Sequence, residues 1–95
     1  MIRHVVFFNA KDKKDIETII EGLSLLKTNP HSEHLEVNRN LQTDVLTGEA
    51  VEVVVYAEFK NETQLAAYKA HPTYQNAIDI VRPLRALRMA ADFMA

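Results

Sequence analysis

Along residues 2–8, IRHVVFF, apolar side chains occupy both parities of an extended chain: Ile2, His4, Val6 and Phe8 fall on one face, Arg3, Val5 and Phe7 on the other. This β-branched and aromatic run predicts a strand. Residues 51–59, VEVVVYAEF, predict another of the same kind, with Val53, Val55, Ala57 and Phe59 set against Val54 and Tyr56. A strand that is apolar on both sides needs cover on both. Between the two the period changes. From Asp12, which is placed to cap a helix, Ile16, Ile19, Ile20, Leu23 and Leu26 recur at helical spacing. Lys13, Lys14, Glu17, Glu21 and Lys27 make the solvated side of that helix, and Asn29-Pro30 ends it. HLEVNRN, residues 34–40, predicts a short strand carrying Leu35 and Val37, and LQTDVLTG, residues 41–48, a loop or hairpin turn about Gly48.

Asn61 and Gln64 have the spacing of a capping box and open a helix that carries Leu65 and Tyr68. Pro72 lacks an amide hydrogen and disfavours helical geometry at His71, so one helix ends there and a second begins. Tyr74, Ala77, Ile78 and Val81 line the inward side of the second helix, which Arg82-Pro83 closes. The tail, LRALRMAADFM, satisfies two periods: Leu84, Leu87, Ala91 and Met94 fit a helix, while Leu87, Met89, Ala91 and Phe93 fit a strand. Propensity favours the helix. Element order favours the strand, because it completes an α+β, ferredoxin-like βαββαβ arrangement with an extra short helix before the last strand.

At 95 residues the chain is expected to form one domain, residues 1–95, able to bury roughly two-thirds of its surface unaided. Two strands with apolar residues on both faces therefore point to a partner. The net charge of −2 and scattered basic residues lack the electrostatic footprint of a nucleic-acid binder. Without cysteine there is no disulfide framework, zinc ribbon or thiol nucleophile. No apolar run reaches the length of a membrane span and no basic, cleavable leader opens the chain, so a cytoplasmic location with no membrane partner is expected.

IRHVVFF, the strand-ending EF before a capped helix, His71-Pro72 followed by Tyr74, and the closing RPLRALRMAADF together resemble the stress-responsive A/B barrel (Dabb) domain family of the dimeric α+β barrel superfamily. The likeness covers nearly the whole chain. It implies a homodimer in which the open sheet face of one ferredoxin-like protomer closes on that of a second copy to make a barrel. Members include plant proteins induced by stress and a polyketide cyclase that works by an aldol-type condensation. In the cyclase relatives a cavity between helices and sheet uses a strand-one histidine, a third-strand histidine, a tyrosine before the His-Pro pair and a histidine two positions after that proline. His4 and Tyr68 match this set, whereas Val53 and Tyr74 occupy the other two positions. The last histidine takes the proton in that closure, and a phenol, with an ordinary pKa of about 10, is a poor base in its place. The resemblance implies no cofactor.

Four residues are candidates for a ligand site: His4, also the candidate base, with Tyr68, Tyr74 and His71. Each has a structural role to set against this. His4 suits a buried imidazole satisfied by a neighbour, His71 a helix cap before a helix-starting proline, and the tyrosines an aromatic core. Arg82, Arg85 and Arg88 read first as solvated or ion-paired residues and only second as an anion site. His31, Glu33 and His34 lack the fixed spacing of a metal site, and no metal is expected. The expected function is a homodimer that binds a small hydrophobic or carbonyl ligand, partly apolar, near His4, Tyr68 and Tyr74. The alternatives are a cofactor-free lyase, isomerase or cyclase acting beside a carbonyl, and a structural or interaction module without a pocket.

Overall fold

The computed structural model describes residues 1–42 and 50–95. The elements are β1 Ile2–Ala10, α1 Ile16–Ser24, β2 His34–Arg39, β3 Val53–Phe59, α2 Glu62–Ala70, α3 Pro72–Val81 and β4 Arg85–Met94, with 3-10 turns Lys13–Asp15 and Leu25–Thr28 flanking α1. All pairings are antiparallel and the strand order is β2-β3-β1-β4. This is the ferredoxin-like α+β fold. The turn expected about Gly48 falls outside the described residues.

One sheet face carries the helices. Ile2, Val6 and Phe8 of β1 and Val53, Val55, Ala57 and Phe59 of β3 join Ile16, Ile19, Leu23, Tyr68, Ala77 and Val81 in a single buried cluster. Gly22 brings α1 hard against α3: a β-carbon there would stand 2.8 Å from Ile80 Cγ2 and 3.0 Å from Val81 Cγ2, closer than unbonded carbons approach.

The local signals operate with small displacements. The Lys14 amide donates to Asp12 Oδ1 at 3.0 Å, but the turn it caps is 3-10, and α-helical bonding starts only at Ile16. The Gln64 amide donates to Asn61 Oδ1 at 2.9 Å, whereas the Gln64 side chain takes the Lys60 amide at 2.6 Å, one residue before the position a capping box would use. β3 begins at Val53, two residues later than its apolar run suggests. Glu52 instead turns inward, its carboxylate accepting the Ala10 amide at 2.7 Å and its own amide donating to Asn9 Oδ1 at 2.8 Å.

The tail is a strand despite its helical propensity, because pairing along β1 satisfies an edge that would otherwise lie open. Met94, Asp92, Ala90 and Arg88 stand opposite Ile2, His4, Val6 and Phe8 and so share the helix-covered face. Near its start the register slips: Asn9 pairs with Leu87 but Ala10 with Arg85, which leaves Ala86 as an extra residue. The opposite sheet face has no helix on it. Rows Val54–Phe7–Met89 and Tyr56–Val5–Ala91 cross three strands there, and β2 adds Asn38 and Glu36 at their ends. Met89 is 58% and Phe93 51% exposed.

Candidate functional site

His4 lies mid-strand on the helix-covered face and is 2% exposed. Its Nδ1 is bonded to Asp92, its direct partner across the β1–β4 ladder. An ionised carboxylate can only accept, so Nδ1 carries the hydrogen and Nε2 of the neutral ring keeps a free lone pair. The imidazole meets Phe59 and Tyr68 edge-on, at ring separations of 5.9 and 6.4 Å. Asp92 was not apparent as a site residue in the sequence. It sits 88 positions from His4 in an apolar tail, and only the strand register brings the two together.

Tyr68 is the one buried residue of α2 and is 1% exposed. Its ring packs on Phe59 at 4.9 Å and on Tyr74 at 5.3 Å. The end of α2 is held by Asn29, whose Nδ2 donates to the Tyr68 carbonyl at 3.0 Å. The Tyr68 hydroxyl makes no hydrogen bond among the described residues, yet no fully buried side-chain polar atom there is left unsatisfied. The hydroxyl therefore keeps its sliver of exposure where the ring borders a cavity. Burial first, and Tyr74 second, push its pKa up, so it stays a protonated donor.

That cavity lies between the sheet and the helices. His4, Tyr68 and Tyr74 all line it, together with apolar residues of α1 and α3 and with Arg85 and Arg88 of β4. Its volume is about 30 Å³, room for one or two waters and about a tenth of the size at which small-molecule sites begin. Tyr74, Ile78 and Arg85 are half-buried and Arg88 is exposed, so these four form the mouth. A second, shallower depression of about 260 Å³, bordered by Glu62, Leu65 and Phe93, reaches Asp92 from the other side.

His71 does not line the cavity. Its Nδ1 accepts the Thr73 amide at 3.2 Å and caps α3, an arrangement worth about 1 kcal/mol. His31 and His34 part company: the His31 ring lies 5.7 Å from that of His71, while His34, at the head of β2, bonds Glu36 Oε2 through Nε2 at 2.5 Å. Val53, at the position where cyclase relatives carry a histidine, is a buried core residue beneath the helices.

No helix among the described residues is long and apolar enough to cross a membrane. Residues 2–95 match the family described as the stress responsive A/B barrel domain. No curated protein matches the sequence. Among solved structures, a dimeric ferredoxin-like protein of unknown function from Thermobifida fusca is 26% identical, with a TM-score of 0.83 over 99% of this chain and 90% of that one. A Dabb family protein from Mesorhizobium loti, 18% identical, gives 0.80 over 99% and 95%. An antibiotic biosynthesis monooxygenase, 10% identical, gives 0.75 over 100% and 98%, a likeness of fold alone.

Proposed function

The chain belongs to the stress responsive A/B barrel domain family, and from that premise we propose that it is a homodimer, joined through the open sheet face, that binds a small, partly apolar molecule between its sheet and helices. One observation carries the binding reading: Tyr68, almost wholly buried, has a hydroxyl without a partner among the described residues at a cavity it shares with His4 and Tyr74. A hydroxyl that opens only onto a small cavity has water there as its acceptor, and a ligand acceptor takes over that bond. The small present volume means that a ligand enters by displacing the side chains of the mouth, which are only partly buried. Dimerisation is supported by the two uncovered apolar rows and by the dimeric Thermobifida fusca relative.

The test is a screen of small phenols and ketones followed by NMR. Resonances of His4, Tyr68 and Tyr74 are expected to move together, with His31 and His34 unmoved. Shifts confined to surface loops, or none at all, would remove the pocket reading in favour of a structural module.

A second reading has an observation of its own. Asp92 on Nδ1 leaves His4 with a free Nε2, the arrangement of an oriented general base, and the tyrosines supply donors for a carbonyl oxygen. This is the cofactor-free lyase, isomerase or cyclase acting beside a carbonyl. If it holds, turnover of a carbonyl compound from the screen falls by about 10²-fold or more in His4→Ala, and Asp92→Asn, which no longer fixes the tautomer, loses turnover while binding is kept. Binding with no turnover by the wild-type protein would leave the first reading standing alone.

A further inference from the structure

The register slip in the β1–β4 ladder decides which face Arg85 occupies. In an unbroken ladder Ala86 would stand opposite Ala10, and Arg85 would share the open face with Leu87. With Ala86 extra, Arg85 pairs with Ala10 and turns to the helix-covered side, where Arg88 already stands opposite Phe8. Both arginines consequently border the cavity that holds His4, Tyr68 and Tyr74. The Ala10 amide beside the slip is taken by the Glu52 carboxylate, and past it the Lys11 amide donates to the Leu84 carbonyl at 2.9 Å, so the slip is not a frayed end.

Two cations here have no carboxylate paired with them among the described residues. None of Arg82, Arg85 and Arg88 forms an ion pair among the described residues, although acids elsewhere pair with Lys14, His34, Arg39 and Lys60. No carboxylate among the described residues lines the cavity; Asp92, bonded to His4, borders the second depression. Burial first, then the charges of Arg88 and Arg82, lower the pKa of Arg85, so its neighbouring arginines are felt as like charges. The arginines and the imidazole occupy different ends: Phe8 and His4 are four residues apart on β1, about 14 Å along the strand.

We propose that the molecule bound in this cavity is an anion, a small monocarboxylate with an apolar body, whose carboxylate is received by Arg85 and Arg88 while its body lies against the rings of Tyr68 and Tyr74. The assignment rests on the pocket reading above and adds the charge of its occupant. Guanidinium groups suit it because their planar donors match a carboxylate's two oxygens, and the aliphatic lining from α1 and α3 suits the body.

The probes are sodium benzoate, its neutral isostere benzamide, and inorganic phosphate, titrated into the wild-type protein at low ionic strength with the resonances of Tyr68 and Tyr74 as readout. Benzoate is expected to bind at least about tenfold more tightly than benzamide, the difference one charge-assisted hydrogen bond makes. The preference is expected to shrink in 0.5 M salt and to vanish in an Arg85→Gln, Arg88→Gln double variant that still binds benzamide. Phosphate is expected to move the Arg85 and Arg88 resonances and not those of Tyr68. Equal binding of benzoate and benzamide by the wild-type protein overturns the anion assignment and leaves the pocket intact. Binding of neither overturns the pocket, and this assignment with it. Phosphate that binds as tightly as benzoate would mean that the site reads charge alone and takes no apolar body.

Discussion

Val54→Asp is expected to convert a micromolar dimer into a monomer in sedimentation velocity. Val54 lies on β3 in the row Val54–Phe7–Met89, on the face without helices, whereas Val53 beside it is 1% exposed beneath them. The sequence alone cannot choose between the two valines; the register does. In a lone protomer the new carboxylate remains half in water, so the fold loses about 1 kcal/mol at most, the span of strand preferences. Against a second copy it is buried without a partner, at about 3 kcal/mol or more, and a twofold interface buries two of them. The predicted loss of affinity is on the order of 10⁴-fold, at about 1.4 kcal/mol per factor of ten. Thermal stability falls with it, because association no longer draws the equilibrium toward the native state. A wild-type monomer at that concentration, or an intact dimer in the variant, would rule out assembly through this face.

Tyr68→Ala is expected to cost about 3–5 kcal/mol in urea unfolding at fixed protomer concentration, the range for removing a buried aromatic ring. Tyr68 is α2's single fully buried residue and packs on His4, Phe59 and Tyr74, so its loss leaves that helix with only the partly buried Leu65 on the core. Tyr68→Phe separates the ring from the hydroxyl. The hydroxyl bonds no described residue, so its removal is expected to change stability by less than about 0.5 kcal/mol, while any ligand that accepts from it binds about tenfold more weakly. A Phe variant that loses more than about 1.5 kcal/mol would show that the hydroxyl serves the fold, and the pocket would lose its main support.

The fold was legible where local chemistry and pattern agree. The apolar runs located β1 and β3, Asn61 and Pro72 marked the starts of α2 and α3, and element order correctly overrode the helical propensity of the tail. Boundaries failed where a side chain took over a backbone bond, as Glu52 does at the head of β3. Of the site, sequence spacing brought Tyr68, His71 and Tyr74 together, and the structure brings His4 to the two tyrosines while His71 caps a helix. Asp92 was not legible as a partner of His4, and Arg85 and Arg88, read only second as an anion site, were not legible as neighbours of His4 and the tyrosines. Their positions depend on how β4 is registered against β1, including one extra residue, and a pairing between the two ends of a chain leaves no local periodicity to read.

The cavity is built from the helix-covered face of a single chain, and assembly through the other face puts two sheets between one cavity and its twin. Stacked sheets lie about 10 Å apart, and each cavity lies beyond its own sheet, so the separation exceeds the screening length of physiological salt, about 8 Å. The two sites of a dimer then share neither side chains nor a strong field. If the cavity binds as proposed, each protomer is expected to take one equivalent with a hyperbolic curve and a Hill coefficient of about 1, and occupancy of one copy is expected to leave its twin unchanged unless the sheets themselves shift.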